Sequence, residues 1–239
     1  MKNILLASLL LAAFLPFASS CSDPLSNDNE PDATSGASIP SGDEQGQGVG
    51  DGNNGKMLVV FFSRAGENWQ VGTVSRGNTA LLADYIVEFT EADVFEIVPE
   101  TAYPTSYNET LTVATNEKNT KARPKFKGEI KNIGEYSTIF VGSPIWWGEP
   151  PMIMHSFCEA YPQLKDKVIV PFGTHGGSGV STVTNMLKQY YPDATYLATK
   201  GMAGTDARKD SAKGEIESWL KQIKITSDAI NPHHDFISC

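Results

Sequence analysis

The sequence predicts an α/β fold in which a doubly wound, five-stranded parallel sheet carries helices on both faces. Three observations support this prediction: short apolar runs alternate with segments of helical periodicity, the runs are rich in β-branched residues, and turn-forming residues separate the segments. Such alternation implies right-handed crossovers. Five strands at this spacing favour the order 2-1-3-4-5, which places a ligand between the first and third strands.

Along the chain, the strands and helices follow one another in a regular series. Apolar, β-branched runs predict strands at residues 57–62, 94–98, 138–142, 167–172 and 194–198. Helical spacing predicts helices from about residue 80 and at residues 152–161, 180–191 and 210–223. Asn78 and Thr79 have side chains that can cap the first of these helices. A further helix is predicted at residues 108–119, inside the long connection between the second and third strands.

The first 55 residues predict export and membrane attachment. Residues 1–20 combine Lys2 with a nearly continuous apolar run and small residues, which is typical of a signal peptide. The next residue, Cys21, resembles the lipidation site of bacterial lipoproteins, so we expect it to be acylated; the alternative is an ordinary cleaved signal. Residues 21–55 are acidic and almost free of apolar side chains, which favours a disordered tether. The prediction is an exported, membrane-anchored protein on the periplasmic or cell-surface side.

Most of the acidity of the chain lies in this tether. The full sequence has 19 Lys and Arg against 28 Asp and Glu, a formal net charge of −9. Residues 1–55 hold one of the bases and seven of the acids, so residues 56–239 carry 18 bases, 21 acids and a net charge of −3. Without a basic stripe, the sequence gives no indication of nucleic-acid binding.

The rest of the chain forms one domain at residues 56–224 and a tail without clear pattern at residues 225–239. Cys21, Cys158 and Cys239 have no disulfide or metal-ligand spacing, and no metal site is expected. We expect Cys158 to be buried in a helix. The connection at residues 101–134 is locally basic. It is interpreted as a solvated face or, alternatively, as a landing surface for an acidic partner or an anionic substrate.

Three separated segments carry the residue types of a ligand site. Each comes after a predicted strand, and parallel strands bring such turns together at one edge of the sheet. The candidate cofactor-binding residues are Ser63, Arg64, Gly77, Asn78, Thr79, Ser143, Pro144, Ile145, Trp146, Trp147, Gly148, Thr174, His175, Gly176, Gly177, Ser178 and Gly179. A flat, phosphorylated cofactor fits this combination of glycines, small hydroxyls and aromatics.

Each segment can be interpreted as part of a ligand site, and each also has a purely structural interpretation. The backbone amides and hydroxyls around Gly77 can bind a phosphate at a helix N-terminus, or can simply cap that helix. Adjacent Trp146 and Trp147 cannot both enter one core, so at least one is expected to be exposed or to stack on a planar ring. His175 can donate to a ring carbonyl or to a reduced flavin, and is the candidate catalytic residue; the alternative is a loop histidine that is satisfied locally.

Taken together, the three segments resemble the flavodoxin-like family, in particular the lipoprotein-associated flavodoxins of bacteria, over residues 57–223. The resemblance implies that FMN is the cofactor. By resemblance, Ser63, Arg64 and residues 77–79 hold its phosphate, residues 143–148 lie beside the isoalloxazine and ribityl chain, and residues 174–179 contact the polar edge of the ring.

The sequence departs from the family pattern in two places. Thirteen residues, 64–76, separate Ser63 from Gly77, and this insertion, which contains Trp69, could form a lid. The third loop lacks an aromatic residue and looks closer to the flavodoxin-like quinone reductases.

The predicted function is electron transfer by a membrane-tethered, FMN-binding flavodoxin-like protein. The expected partner is a redox protein or a small quinone-like acceptor. One alternative is an FMN-dependent NAD(P)H:quinone or nitro reductase, favoured by His175 and the insertion. The other is a non-redox binding module that keeps the scaffold without the flavin.

Overall fold

A parallel sheet of five main strands lies at the centre of the structure, which is a computed structural model describing residues 55–225. The strands are β1 (Lys56–Phe61), β2 (Asp93–Glu96), β3 (Tyr136–Pro144), β4 (Val168–His175) and β5 (Lys200–Ala203). Their order across the sheet is 2-1-3-4-5, and every pair along it is parallel. The predicted fold class and strand order are therefore confirmed.

Within residues 55–225, five α-helices accompany the sheet, and four of them cover its two faces. They are α1 (Asn78–Thr90), α2 (Tyr107–Thr120), α3 (Met152–Ala160), α4 (Ser181–Tyr190) and α5 (Ser211–Gln222). Side chains of β1 alternate between the faces, so that Val60 packs with α3 and α4 while Val59 packs with α1 and α5. The apolar run of β1 is thus buried on both faces, as predicted. Cys158, on α3, is buried.

Several short strands lie outside the main sheet order. A hairpin pairs Gly66–Asn68 with Gly72–Val74, and a second antiparallel pair joins Val98–Pro99 to Phe126–Lys127. The hairpin lies inside the insertion at residues 64–76. The helix predicted at residues 108–119 is present as α2.

The fifth strand differs from the prediction at residues 194–198. Only Thr195–Tyr196 of that run pairs with β4, and the longer strand at this edge is β5. The ladder from this run to β4 ends after Leu197, because its next hydrogen bond would need an amide N–H from Pro171, and proline has none.

Some predictions concern segments outside the described residues. These are the signal peptide, the acylated Cys21, the tether up to residue 54 and the tail after Ile225. Within residues 55–225, no helix combines the length and the apolar character needed to cross a membrane.

Candidate functional site

The register of the sheet brings the three predicted segments to one edge. Pro144 lies opposite Thr174 where β3 and β4 end, and the amide of Ile145 continues the ladder to the carbonyl of Thr174 at 2.9 Å. On the other side of β3, the amide of Phe62 donates to the carbonyl of Gly142 at 3.1 Å. Ser63 therefore starts its loop beside the second segment.

The first segment forms the N-terminus of α1. Gly77 is the residue before the helix, so Asn78 and Thr79 lie in its first turn and do not cap it through their side chains, contrary to the prediction. Ser63 takes this role, because its Oγ accepts from the amide of Ala80 at 3.1 Å. The amides of Asn78 and Thr79 have no hydrogen-bond partner among residues 55–225. Two free donors at a helix N-terminus suit a phosphate.

Gly77 is required because the chain passes very close to itself at this point. A Cβ on Gly77 would overlap the Oγ of Ser63 and lie 2.6 Å from the carbonyl oxygen of Arg64. The second contact is with backbone, which cannot move aside as a side chain can. The close approach thus holds Ser63 against the first turn of α1.

An arginine that the sequence did not indicate orients Asn78. The Nε of Arg208 donates to the Oδ1 of Asn78 at 2.8 Å, and the same guanidinium donates to the carbonyl of Arg76. With its oxygen held in this way, Asn78 has its amide nitrogen Nδ2 against Gly204. A Cβ added to that glycine would lie 2.6 Å from this nitrogen. Burial lowers the pKa of Arg208 from its ordinary, very high value. Asn78 and Gly204 both line the cleft described below.

Arg64, predicted to hold phosphate, contacts backbone carbonyls instead. Its Nη1 donates to Pro104 at 2.8 Å and to Thr105 at 3.2 Å, and its Nη2 donates to Glu67. Burial lowers the pKa of this guanidinium. Through these bonds, Arg64 ties the insertion to the chain before α2. Arg64 also lines the cleft, where it supplies a positive charge.

Three of the predicted hydroxyl groups make hydrogen bonds within the protein. The Oγ1 of Thr79 lies 2.8 Å from that of Thr174, and both side chains are buried. The hydroxyl of Ser143 is buried as well and donates to the carbonyl of Pro144 at 2.8 Å. The bond between Thr79 and Thr174 connects the first segment to the third, and the bond of Ser143 stays within the second segment.

The second segment separates its two tryptophans, as the sequence predicts. Trp146 packs edge-to-face on Tyr103 at 5.0 Å and on Phe62 at 5.5 Å between ring centroids. Trp147 is 55% exposed and has a positive φ of 53°, which is unusual for a bulky residue. The next residue, Gly148, has φ of 81°. Of this pair, Trp147 is therefore the tryptophan with the more exposed ring.

The third segment leaves the sheet at His175. The Nδ1 of its ring accepts from the amide of Gly177 at 2.9 Å, so the neutral ring carries its proton on Nε2. That nitrogen has no hydrogen-bond partner among residues 55–225. Gly177 and Gly179 have φ of 130° and 74°, which shows why glycines occupy this loop. Ser178, between them, donates to the carbonyl of Gly179.

The segments meet in a cleft of about 240 Å³ that is open to solvent. This volume lies below the range of about 300–1,000 Å³ that is usual for small-molecule sites, so a ligand of cofactor size would remain partly exposed. Of the predicted residues, the cleft is lined by Arg64, Asn78, Pro144, Ile145, Trp146, Trp147, Thr174, His175 and Gly176. Those that do not line it are Ser63, Gly77, Thr79, Ser143, Gly148, Gly177, Ser178 and Gly179.

Seven lining residues were not predicted, and most come from the hairpin and α2. They are Asn68, Trp69, Tyr107, Thr110, Leu111, Ala114 and Gly204. Trp69 belongs to the insertion at residues 64–76, and the sequence indicated its position only through the prediction that this insertion could form a lid. No local signal in α2 marks the face that it turns to the cleft.

The cleft has little formal charge. Arg64 is the one permanently charged residue among its lining residues, and no Asp or Glu is among them. Within residues 55–225, no group of His, Cys, Asp and Glu side chains could hold a metal ion. The lining is therefore suited to a neutral or anionic ligand with aromatic surface.

The fold and the cleft define an α/β protein of the doubly wound class, with a small-molecule site at the edge where its strand order reverses. The chain belongs to the flavodoxin family, since residues 56–223 match the model of that family. The resemblance to the flavodoxin-like family, inferred from the three segments, is thereby confirmed. Among curated proteins, none matches the sequence.

Solved structures agree with this assignment. A provisionally assigned flavoprotein from Bacteroides eggerthii DSM 20697 is 32% identical, with 72% of this chain and 100% of that chain covered and a TM-score of 0.57. Another, from Bacteroides uniformis ATCC 8492, is 25% identical over 70% of this chain and 98% of that chain, with a TM-score of 0.55. A flavoprotein from Lactobacillus acidophilus NCFM, solved with FMN, shares the fold at 17% identity, 69% and 98% coverage and a TM-score of 0.50.

Proposed function

We propose that this chain is an FMN-binding electron carrier, held at a membrane by a lipid on Cys21. FMN would supply the electron chemistry, and the protein would bind it, orient it and set the electrostatics around it. The observation that carries the proposal is the pair of free amides of Asn78 and Thr79 at the N-terminus of α1, where Asn78 lines the same cleft as the two other flavodoxin-type segments.

The residues present fit FMN at both ends of the cleft. The first turn of α1 has no acidic residue, so nothing there repels a phosphate, and the Asn78 amide group adds a donor fixed by Arg208. Trp147 presents an open aromatic face, and the Nε2–H of His175 is free to donate to a polar ring edge. The family to which the chain belongs supports the same cofactor.

An electron carrier needs an exposed cofactor edge and a surface for its partner. The open cleft meets the first requirement. For the second, the basic connection presents Lys121, Lys125, Lys127 and Lys131 as exposed side chains without an ion pair among the described residues, whereas Lys118 and Arg123 pair with Glu149 and Glu159. The four free lysines support docking of an acidic redox protein, at a rate that falls with salt.

The hairpin favours a second candidate, an NAD(P)H-dependent quinone or nitro reductase. Trp69, at the hairpin tip, reaches the third segment, where its Cδ1 lies 2.9 Å from the position of a Cβ on Gly176. Such a cover is useful to an enzyme that binds a second ligand. Steady-state oxidation of NADH or NADPH with a quinone separates the candidates: turnover favours the reductase, and its absence in flavin-loaded protein favours the carrier.

The membrane anchor is tested apart from the cofactor. Cys21→Ala should release the exported protein from the membrane fraction, because the acyl chain is the proposed attachment. Continued membrane association of this variant would contradict acylation at Cys21.

The first experiment is an absorbance titration of the purified chain with FMN. We expect stoichiometric uptake, and we expect Gly77→Ala to abolish it, because a methyl group there collides with Ser63 and the Arg64 carbonyl. Gly214→Ala is the matched control, since a Cβ at that helical glycine meets open space. A wild-type chain that folds and takes up no FMN would refute the proposal and favour the non-redox binding module.

A further inference from the structure

Two exposed valines lie on the outer edge of the main sheet, away from the cleft. Within residues 55–225, the large hydrophobic side chains that are exposed are Trp69, Val94, Val98 and Trp147, and the two tryptophans line the cleft. Val94 lies in β2, the last strand on its side of the main sheet, and Val98 follows shortly after that strand ends. Apolar side chains at an open sheet edge indicate a surface that can pair with another strand.

The outer side of β2 is open at two residues. The amide of Ile97, just after this strand, donates to the carbonyl of Phe61 in β1 at 2.7 Å, and the main-chain groups of alternate residues point the same way. The odd-numbered residues of β2 therefore face β1, whereas Val94 and Glu96 point their amides and carbonyls outward. None of these four groups has a hydrogen-bond partner among residues 55–225.

A short strand, Phe126–Lys127, covers the next part of the same edge. Its Lys127 lies opposite Val98 in their antiparallel pair. The strand ends there, and it is followed by Gly128, whose backbone is left-handed with φ of 79°. The edge is therefore closed beside Val98 and open beside the two residues whose main-chain groups are free.

The open stretch has opposite charges at its two ends. Glu91, just before β2, is exposed and has no ion pair among residues 55–225. Lys127, at the other end, is also exposed and without an ion pair in that part of the chain. The other charged residues along this edge are Asp93, which accepts from the hydroxyl of Tyr136, Glu96, which pairs with Arg76, and Glu100, whose amide donates to Lys125 in the covering segment. Glu91 and Lys127 are thus the charges that remain for a partner.

A second copy of the chain, running antiparallel, matches these ends. Two registers use the free groups without setting Glu96 against its own copy: Val94 lies opposite either Val94 or Glu96. Counting along the ladder in either register places Glu91 of one copy within one residue of Val98 in the other, beside Lys127. The contact occurs twice, because a two-fold axis relates the copies. A parallel pair would instead bring like charges together.

We propose that β2 is a self-association edge, at which two copies of this chain pair antiparallel around Val94 and join their main sheets. The charges select a second copy as the occupant, because the same edge carries both the anion and the cation that the pairing needs. Since α1 ends at Thr90 and β2 begins at Asp93, the chain of the second copy leaves the ladder before it reaches the covering strand.

This pairing leaves the candidate FMN sites open. Each cleft lies at the carboxyl ends of its strands, so antiparallel sheets place the two clefts at opposite ends of the joined sheet. Lys127 then serves the second copy, and Lys121, Lys125 and Lys131 stay available to a redox protein. The inference is independent of the cofactor, because none of the residues that pair lines the cleft.

The test is sedimentation velocity of the purified full chain over a concentration series, with Cys21→Ala in every protein so that an acyl chain cannot cause association. The open edge is short, so we expect a dimer with a dissociation constant in the micromolar range, as for small transient interfaces. Lys127→Glu and Glu91→Lys each set like charges together and should weaken the dimer at least tenfold. The variant that combines them restores opposite charges and should return to within threefold of wild type. Lys165→Glu, at an exposed lysine before β4, is the matched control for net charge.

Val94→Pro tests the ladder apart from the charges. Proline removes the outward amide of residue 94, whereas the hydrogen bonds to β1 come from the odd-numbered residues and stay in place. We expect a monomer with an unchanged circular dichroism spectrum. Val94→Thr keeps the amide and the branched shape, and should dimerise within threefold of wild type.

A chain that stays monomeric throughout the series overturns the inference and leaves the edge to a different protein. A dimer that persists in Val94→Pro, or one that neither charge variant weakens, refutes it as well, because the contact then lies elsewhere. A combined variant as weak as the single ones contradicts the contact between Glu91 and Lys127. If Val94→Pro does not fold, the exchange of charges decides by itself. Failure of the proposed function is seen separately, as lack of FMN uptake, since none of these measurements needs FMN.

Discussion

The hydroxyl of Thr79 lies 2.8 Å from the hydroxyl of Thr174, although the two residues are 95 positions apart. Thr79 is in the first turn of α1, and Thr174 lies near the end of β4. Both side chains are buried, with 1% and 4% of their surfaces exposed. This single hydrogen bond links the first candidate phosphate-binding segment to the third segment beneath the cleft.

Thr79→Val should lower the free energy of unfolding by ~1–3 kcal/mol, because it leaves the Thr174 hydroxyl buried without its partner. The double variant with Thr174→Val should lose less than the sum of the two single changes, since it leaves no unpaired hydroxyl. Urea denaturation of the four proteins gives the coupling energy. Additive losses would show that the two hydroxyls do not interact.

Trp146 and Trp147 should respond differently to truncation. Trp146→Ala removes a ring packed on Phe62 and Tyr103 and should cost ~3 kcal/mol of stability. Trp147→Ala removes an exposed ring and should change stability by less than about 0.5 kcal/mol. It should weaken FMN binding by ~1–3 kcal/mol if the indole stacks on the flavin, by analogy with stacked bases. Thermal unfolding and FMN titration separate the effects; unchanged FMN affinity in Trp147→Ala would contradict the stacking role.

Much of the fold could be predicted because its signals are local. In β1 the run that follows Lys56 is apolar without a break, and this pattern is typical of a strand covered on both faces. The glycines of the third segment indicated backbone conformations that few other residues adopt, and Gly177 and Gly179 adopt them. Because parallel strands place such turns at one edge, the meeting of the three segments followed from the strand order.

The remaining features depend on contacts between distant parts of the chain. The hairpin is positioned by Arg64 bonding to carbonyls 40 and 41 residues away, and Asn78 is oriented by Arg208, 130 residues away. The predicted fifth strand at residues 194–198 pairs only in part, because the register places Pro171 of β4, which has no N–H, against it. None of these partners can be identified from spacing or composition, since each depends on how the helices and loops are packed.

Arg208→Ala should weaken FMN binding about tenfold and leave riboflavin binding within twofold of wild type. The reason is that Arg208 holds Asn78 beside the free amides of α1, where only the phosphate of FMN would lie. Arg208→Lys keeps the charge and loses the fork of donors, so its affinity separates positioning from charge. Arg123→Ala, which breaks an ion pair with Glu159 on the surface, is the control. Equal losses for FMN and riboflavin would refute this role.

Glu117 should make the protein lose stability as the pH rises. Its Oε2 accepts from the hydroxyl of Tyr103 at 2.9 Å, and Tyr103 packs against Trp146 beneath the cleft. Burial raises the pKa of Glu117, and the Tyr103 hydrogen bond opposes this rise only in part. Since the unfolded carboxyl ionises at about pH 4.3, the folded state holds its proton longer than the unfolded state does. The stability that this raised pKa of Glu117 contributes is complete below about pH 4.3, and it is lost as the pH rises through the pKa of the folded state.

Glu117→Gln should therefore remove this part of the pH dependence. The difference in unfolding free energy between wild type and variant, measured by urea denaturation from pH 4 to pH 8, should move in favour of the variant as the pH rises. Glu100→Gln, at an exposed carboxyl, should show no such trend and serves as the control. A wild-type advantage that grows with pH would mean that the ionised carboxylate is the form that the fold stabilises, with the Tyr103 hydrogen bond outweighing the cost of burial.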